Sequence, residues 1–268
     1  MPRSQQNSRN RTNRKLGHFL GPLLLLPLVL GFSSCGDSGG SFPAPALPPA
    51  KTAPQIFDDY HADGGANMAD GWTRGMDMSG VSFNDKRTAT LITPRHIVMA
   101  KHYARPALAP VIFHDRNGKR LERKIIGLAA GKGDVMVGLL DAPAPSNYTH
   151  YSLPDTSSNI PALVGTPVIV SDQKRSLFVH LIAGIGGGGI SFKHDQNKQY
   201  GWGKNLVVGD SGNPSFLIVG TKLVLVETHT SGGPGAGPFY GDPAVQAGIR
   251  AAVAKLDDSY RIQTVVVR

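Results

Sequence analysis

The sequence predicts an all-β fold that consists of two sets of short strands and one helix near the C-terminus. Two observations carry this prediction. Apolar runs of five to ten residues recur from residue 89 onwards with turn residues between them. The 268 residues also include 33 glycines and 20 prolines, and only 18% are charged. Such a composition is typical of many turns and short strands rather than of long helices.

The first set of strands is expected between residues 89 and 140. An Arg-Asn-Gly turn at 116–118 separates its third and fourth runs, and Asn-Gly favours a hairpin because it tolerates positive φ. The five apolar runs are ATLIT (89–93), HIVMA (96–100), PVIFH (110–114), KRLERKIIGL (119–128) and DVMVGLL (134–140).

The second set of strands follows a connection at 141–159 that is rich in proline and serine. Its apolar runs are TPVIVSD (166–172), SLFVHLIAGI (176–185), NPSFLIVG (213–220) and TKLVLVETH (221–229). The glycine-dense GIGGGGISF (184–192) lacks GxGxxG spacing and no helix follows it, so it is a poor phosphate cradle. We interpret it as a flexible loop, with a close approach of backbone to substrate as the alternative.

One helix is predicted near the C-terminus, at about residues 243–256. Asp242 is suited to cap it and Pro243 to occupy its first turn. Four apolar side chains then share one face at helical spacing, namely Val245, Ile249, Val253 and Leu256.

Residues 1–34 predict a secretory signal peptide. A basic stretch, RNRTNRK, precedes the apolar run FLGPLLLLPLVLGF (19–32), which is short for a membrane span and contains two prolines. The following FSSC resembles a bacterial lipoprotein processing site, which implies lipidation of Cys35 and an exported protein anchored to a membrane of the cell envelope. A plain secretory signal, with Cys35 as a spare thiol, is the alternative. With one cysteine, no disulfide forms within the chain.

Residues 35–55 are expected to be a tether, and residues 56–268 the folded domain. The tether sequence is almost entirely Gly, Ser, Pro and Ala, which form no core. The formal charge of +9 includes five basic residues within the first fifteen positions, and 23 basic against 19 acidic residues remain once 1–34 are removed. This balance, without any nucleic-acid-binding motif, predicts no nucleic-acid partner.

The segment LVVGDSGNPSF (206–216) is the candidate nucleophile loop. Its residues suit an ordinary turn, but the same bend would also present Ser211 for attack. A nucleophilic serine needs a base, a carboxylate that orients the base, and N–H donors for the oxyanion. The backbone amides of Gly209 and Ser211 are the candidate oxyanion donors, since glycine lets the backbone turn its N–H toward that site.

Three segments in order resemble the chymotrypsin-like serine protease family. ATLITPRHIVMAKHY (89–103) resembles the segment around the family's catalytic histidine, which puts His102 on that position. GDVMVGLL (133–140) puts Asp134 on the orienting carboxylate, and VVGDSGNPSF puts Ser211 on the nucleophile, with Asn213 where glycine is usual. The resemblance spans about residues 75–245.

The resemblance implies two packed six-stranded antiparallel β-barrels, at about 75–145 and 160–242, with the site between them. It implies a serine endopeptidase that cleaves proteins or peptides through an acyl-enzyme, without a cofactor or metal. Two alternatives stay open: a catalytically inactive barrel pair that serves as a binding or structural lipoprotein, and a serine hydrolase acting on esters. A local cluster, Asp58, Asp59 and His61, is interpreted as a polar turn rather than a metal site.

The partner of Asp210 and the specificity pocket are the two features that the family resemblance leaves open. Asp210 needs a partner other than the amine that proteolysis frees in zymogen-activated members, because no activation-type sequence occurs near residues 56–80. The specificity pocket is assigned to four residues: Asn205 at its floor, and Thr228, His229 and Thr230 in its wall. His229 is either a wall residue without selective role or a group that favours an acidic substrate side chain.

Overall fold

The computed structural model describes residues 54–196 and 203–267. The predicted signal peptide, Cys35 and all but the last two residues of the predicted tether lie outside these described residues. Within them, two six-stranded antiparallel sheets form one nearly closed barrel and one half-barrel, followed by one α-helix. The predicted all-β fold with two six-stranded antiparallel sheets and a C-terminal helix is confirmed, and one of the two predicted barrels is only half closed. No helix of the described residues is both long and apolar enough to cross a membrane.

The first sheet follows a short hairpin of β1 (Phe57–Tyr60) and β2 (Ala66–Met68). Its strands lie in the order β3-β4-β5-β8-β7-β6, and 3-10 turns occupy Trp72–Gly75 and Lys101–Tyr103. The strands are β3 (Val81–Ser82), β4 (Ala89–Leu91), β5 (His96–Ala100), β6 (Pro110–His114), β7 (Arg120–Ala130) and β8 (Val135–Leu140).

The second sheet has the order β14-β13-β10-β11-β12-β15. Outside it, β9 (Leu153–Pro154) pairs in parallel with β16 (Thr264–Val265), and a 3-10 turn covers Ile160–Leu163. The remaining elements are β10 (Pro167–Ser171), β11 (Leu177–Gly186), β12 (Gly189–Lys193), β13 (Pro214–Val219), β14 (Lys222–Thr228), β15 (Ala236–Pro238) and α1 (Pro243–Leu256).

A single apolar cluster joins the two sheets and the helix. It contains Val98 of β5, Ile169 of β10, Phe216 of β13 and Ile249 of α1, and all four side chains are buried. Smaller apolar clusters lie within each sheet. Because close-packed interiors resist displacement, the shared cluster fixes the first sheet relative to the second.

The glycine-dense segment at 184–192 is a β-hairpin, so its interpretation as a flexible loop is wrong. Strands β11 and β12 pair across a two-residue turn, with Ile185 opposite Ile190. Gly187 and Gly188 at the turn have φ values of 60° and 80°. Positive φ at both positions gives the turn the twist that matches the paired strands, and glycine adopts it without a steric cost.

The predicted helix begins with the expected cap. The Asp242 carboxylate accepts hydrogen bonds from the Ala244 and Val245 N–H groups, at 2.9 and 3.0 Å. These bonds satisfy two amides that have no partner within the helix. Val245, Ile249 and Val253 are buried, so the helix packs its apolar face against β7 and β8.

Replacing the capping carboxylate tests this assignment. Asp242→Ala should lower the free energy of unfolding by about 1 kcal/mol, because it leaves two helix N–H groups without an acceptor. Chemical denaturation measures the change. Asp258→Ala, an exposed position just beyond the helix, should stay within about 0.5 kcal/mol of the unsubstituted protein. Equal effects of the two substitutions would show that the cap contributes nothing.

His96 on β5 makes stability depend on pH. Its ring is fully buried, with Nδ1 2.8 Å from Thr93 Oγ1, and burial lowers the pKa of His96 to about 4. The unfolded chain holds this histidine at an ordinary pKa of about 6.5. Between these values the unfolded state binds a proton that the folded state does not, so stability is full above pH 6.5 and falls toward pH 4.

The His96→Gln variant measures this contribution. Over pH 6.5 to 4 the free energy of unfolding of the unsubstituted protein should fall by up to about 1.4 kcal/mol per pH unit for this one histidine. The variant should show a smaller slope, since it has lost the titrating group. Denaturation curves at several pH values give both slopes, and identical slopes would contradict the assignment.

Candidate active site

His102 and Asp134 are brought together by the pairing of two strands. In the antiparallel register of β5 and β8, Ala100 lies opposite Val135. His102 follows β5 by two residues, within the 3-10 turn, and Asp134 immediately precedes β8. His102, just past the end of β5, therefore meets Asp134, just before the start of β8.

A continuous series of contacts links Asp134, His102 and Ser211. The Asp134 carboxylate accepts the His102 backbone N–H at 2.8 Å through Oδ1, and its Oδ2 lies 2.6 Å from His102 Nδ1. His102 Nε2 lies 2.9 Å from Ser211 Oγ. Beside a carboxylate that accepts at Nδ1, the neutral imidazole carries its proton on Nδ1, and its Nε2 lone pair then accepts the Ser211 hydroxyl. A serine in this state is arranged for nucleophilic attack.

The loop that carries Ser211 is tied to both sheets through Asn213. Its buried Oδ1 accepts the Thr88 hydroxyl at 3.0 Å, next to β4 of the first sheet. Its backbone carbonyl accepts the His229 N–H at 2.9 Å, and the Gly212 N–H donates to the His229 carbonyl at 2.9 Å. These bonds hold the Ser211 loop in place next to His102, which follows a strand of the first sheet.

Two amides of the turn that carries Ser211 are left without an acceptor among the described residues. Neither the Gly209 nor the Ser211 backbone N–H donates a hydrogen bond to any residue within the described ranges. Gly209 has a φ of 98°, and a Cβ at this position would lie 2.7 Å from the side-chain amide atoms of Gln173. Glycine is therefore required here, and the turn leaves two donors that can hold a negatively charged oxygen.

Asp210 finds its partners in the backbone. Its carboxylate is buried, with 1% of the residue exposed. Oδ1 accepts the Gln173 N–H at 3.0 Å and Oδ2 accepts the Val207 N–H at 2.8 Å. Two amide donors thus satisfy a buried carboxylate that the sequence left without an identified partner.

The four residues assigned to a specificity pocket differ in burial and in their hydrogen-bond partners. Asn205 is exposed, and its Oδ1 lies 2.8 Å from His194 Nε2. Thr228 is buried, with its hydroxyl 2.7 Å from the Tyr240 hydroxyl. His229 is buried as well, whereas Thr230 is half-buried and donates to a backbone carbonyl in β15.

His229 faces Glu227, a residue that the sequence analysis missed. The Glu227 carboxylate oxygen Oε1 lies 2.7 Å from His229 Nδ1, and both side chains are buried. The contact is close, but the atoms are not aligned as a hydrogen bond. The spacing of two along a strand was the available signal, because it places both side chains on one face. The His229 ring therefore has a carboxylate of this chain beside it rather than open space.

Thr230 borders an open groove on the second sheet. The groove has a volume of about 510 Å³ and lies between the 184–191 hairpin and β15. Four glycines line it, together with Ile185, Ile190, Ser191, Thr230 and Ala236. Thr230 directly follows His229, whose backbone bonds Gly212 and Asn213 of the Ser211 loop, so one lining residue of the groove is adjacent in sequence to a residue that contacts that loop.

The sequence also contains one local cluster of possible metal ligands, Asp58, Asp59 and His61. Residues 54–196 and 203–267 contain no group of three or more His, Cys, Asp or Glu side chains placed to hold a metal ion. Of the cluster noted in the sequence, Asp59 and His61 form an exposed contact of 3.1 Å.

Comparison with known proteins adds no family assignment. No protein-family model matches the chain, and no curated protein matches it at a significant level of sequence similarity. The chemistry of the site therefore has to be argued from its own residues.

Substitution of Gly209 tests the constraint on the turn. Gly209→Ala should lower the free energy of unfolding by more than the roughly 1–2 kcal/mol of left-handed strain, because the new methyl also displaces the Gln173 side-chain amide from the Val208 carbonyl. Gly165→Ala is the matched control: its φ is 87° and no atom lies within 4 Å of the added Cβ, so it carries the strain alone. Chemical denaturation compares the two, and equal losses would contradict this displacement.

Proposed function

We propose that the protein is a serine endopeptidase of the chymotrypsin-like type, acting on proteins or peptides. The observation that carries the proposal is the unbroken series of contacts from Asp134 through His102 to Ser211 Oγ, in a turn with two amides that donate to no described residue. These are the base, the orienting carboxylate, the nucleophile and the oxyanion donors that acyl transfer needs.

In the proposed mechanism, Ser211 Oγ attacks the carbonyl carbon of the scissile peptide bond while its proton passes to His102 Nε2. The developing oxyanion accepts hydrogen bonds from the Gly209 and Ser211 amides. His102 then gives the proton to the leaving amine, and the C–N bond breaks to leave an acyl ester on Ser211. Water, deprotonated by His102, attacks the ester carbonyl, and the acyl C–O bond breaks as His102 returns the proton to Ser211 Oγ and the acid is released. Asp134 holds the Nδ1 proton and stabilises the imidazolium that forms.

The substrate contacts belong to the groove rather than to the buried strand. Thr230 is half-buried at the edge of the groove, whereas Thr228 and His229 are buried behind it. We therefore assign Thr228 and His229 to supporting the loop and propose that the substrate chain lies along Thr230. The Glu227 carboxylate beside His229 opposes a preference for acidic side chains, because it would repel a second carboxylate.

Location is the second part of the proposal. The signal-like segment at 1–34, the lipoprotein-like Cys35 and the tether-like composition of 35–55 support export and lipid anchoring at the cell envelope. On this proposal the peptidase acts outside the cytoplasm, on protein or peptide substrates at the membrane surface.

Peptide-bond hydrolysis by triad variants tests the activity. The purified protein should cleave a mixed peptide library, with new termini identified by mass spectrometry. Ser211→Ala and His102→Ala should each lower kcat/KM by at least about 10³-fold, since each removes a group that acts only as part of the unit. His61→Ala is the matched control, because it breaks an exposed His–Asp contact that has no serine beside it.

Three results would overturn the proposal. Cleavage that survives Ser211→Ala would place the nucleophile elsewhere. Hydrolysis of activated esters without any peptide cleavage would favour a serine hydrolase that acts on esters. A folded protein that hydrolyses neither class of substrate would favour the inactive binding or structural role.

A further inference from the structure

We infer that Gln173 is a positioning residue that holds the oxyanion turn, residues 207–211, in the conformation that exposes the Gly209 amide. The inference rests on the proposed function, because it concerns the same site. On this inference, the neutral side chain of Gln173 orients the oxyanion donors. No cleavage of the chain is then needed to form them.

Gln173 contacts the turn twice. Its backbone N–H donates to Asp210 Oδ1 at 3.0 Å, and its side-chain Nε2 donates to the Val208 carbonyl at 3.0 Å. The two contacts lie on either side of Gly209. Gln173 therefore binds the turn at Val208 and at Asp210. Gly209, whose amide the proposed mechanism requires, lies between them.

The bond to Val208 sets the direction of the Gly209 N–H. The Val208 carbonyl and the Gly209 N–H belong to one planar trans peptide, in which the two groups point in opposite directions. With the carbonyl held by Gln173, the N–H must face away from Gln173. Rotation of this peptide would reverse both groups and remove one of the two oxyanion donors.

Little else restrains this peptide. The Val208 side chain is 99% exposed, so packing does not anchor it. No other donor within the described residues bonds the Val208 carbonyl. The side-chain amide of Gln173 is therefore the group in the described chain that selects between the two orientations.

Asp210 fixes the other side of the turn without a cation. A buried carboxylate is costly unless hydrogen bonds or a positive charge compensate it. Asp210 accepts from Gln173 and Val207, and no Lys, Arg or His of the described residues lies within 4.0 Å of its carboxylate. The backbone N–H of Gln173 thus donates a hydrogen bond to the Asp210 carboxylate, a contact that an ammonium group could otherwise provide.

Gln173 is itself held in place by a rigid hairpin turn between β10 and β11. The Asp172 carboxylate accepts the Lys174 and Ser176 N–H groups at 3.0 and 2.9 Å. It also pairs with Lys204. These contacts close the turn around Gln173, so its side chain starts from a defined backbone position.

The N-terminal end of the described domain binds the outer side of the same turn. The Ile56 N–H donates to the Arg175 carbonyl at 2.9 Å, and Gln55 Nε2 donates to Ser176 Oγ at 2.8 Å. The Leu177 N–H donates to the Pro54 carbonyl at 2.7 Å. Residues 54–56 therefore stabilise the turn that carries Gln173 through these three hydrogen bonds.

Substitution of Gln173 tests the inference by structure and by kinetics. Gln173→Glu keeps the size of the side chain and the backbone N–H, but its carboxylate cannot donate to Val208. The matched control is Lys174→Ala on the same turn, whose exposed side chain makes no hydrogen bond within the described residues. Amide NMR spectra of the purified protein report the turn whether or not the protein is active.

In Gln173→Glu, the Gly209 and Ser211 amide resonances should shift or broaden while those of the β-sheets stay unchanged. The kcat for peptide cleavage should fall roughly 10- to 100-fold with KM changed less than about threefold, because an oxyanion donor acts in the transition state. Gln173→Lys, which restores a donor, should recover part of kcat. Lys174→Ala should match the unsubstituted protein in both measurements.

An unchanged spectrum of residues 207–211 in Gln173→Glu would overturn the inference, even in an active protease. So would a rise in KM with kcat unchanged, which indicates lost substrate binding instead. A disturbed turn in a protein that never cleaves peptides would support the role of Gln173 in the turn and would count against the proposed function alone.

Discussion

The site depends on the fixed contact between the two sheets, because His102 and Asp134 belong to one sheet and Ser211 to a loop of the other. Two interactions maintain that contact. The apolar cluster that contains Val98 and Phe216 sets the distance between the sheets, and the buried Thr88–Asn213 hydrogen bond aligns the loop at their junction. Loss of the Asn213 amide would leave a buried hydroxyl unpaired and release the loop at the same time.

The oxyanion turn contains two unfavourable local features of the site, a strained backbone and a buried carboxylate. Hydrogen bonds from the second sheet stabilise it. Gly209 adopts a φ that other residues avoid, and Asp210 buries a carboxylate. Both features are compensated by the hairpin turn that precedes β11, chiefly through Gln173. The N-terminal segment at 54–56 binds this same turn, so the first described residues and the site are connected through one short loop.

Local pattern predicted much of this arrangement. Apolar runs and turn residues gave the strands, Asp242 and Pro243 gave the start of the helix, and motif order placed His102, Asp134 and Ser211 in positions where the structure brings them together. The contact between Gln173 and Asp210 was not predictable, because it joins residues 37 positions apart in the chain. The spacing of Glu227 and His229 was visible in the sequence, but their burial together depends on the folded sheet. Glycine density hid the 184–192 hairpin, because the same residues suit a loop and a tight turn.

Covalent labelling of the purified protein with a fluorophosphonate tests the central claim most directly, namely that the His102–Asp134 pair activates Ser211. Mass spectrometry of the digested adduct identifies the modified residue. The account predicts one adduct, on Ser211, that disappears in His102→Ala although the serine is still present. An adduct on another serine, equal labelling of Ser211 in His102→Ala, or no labelling of the folded protein would contradict it.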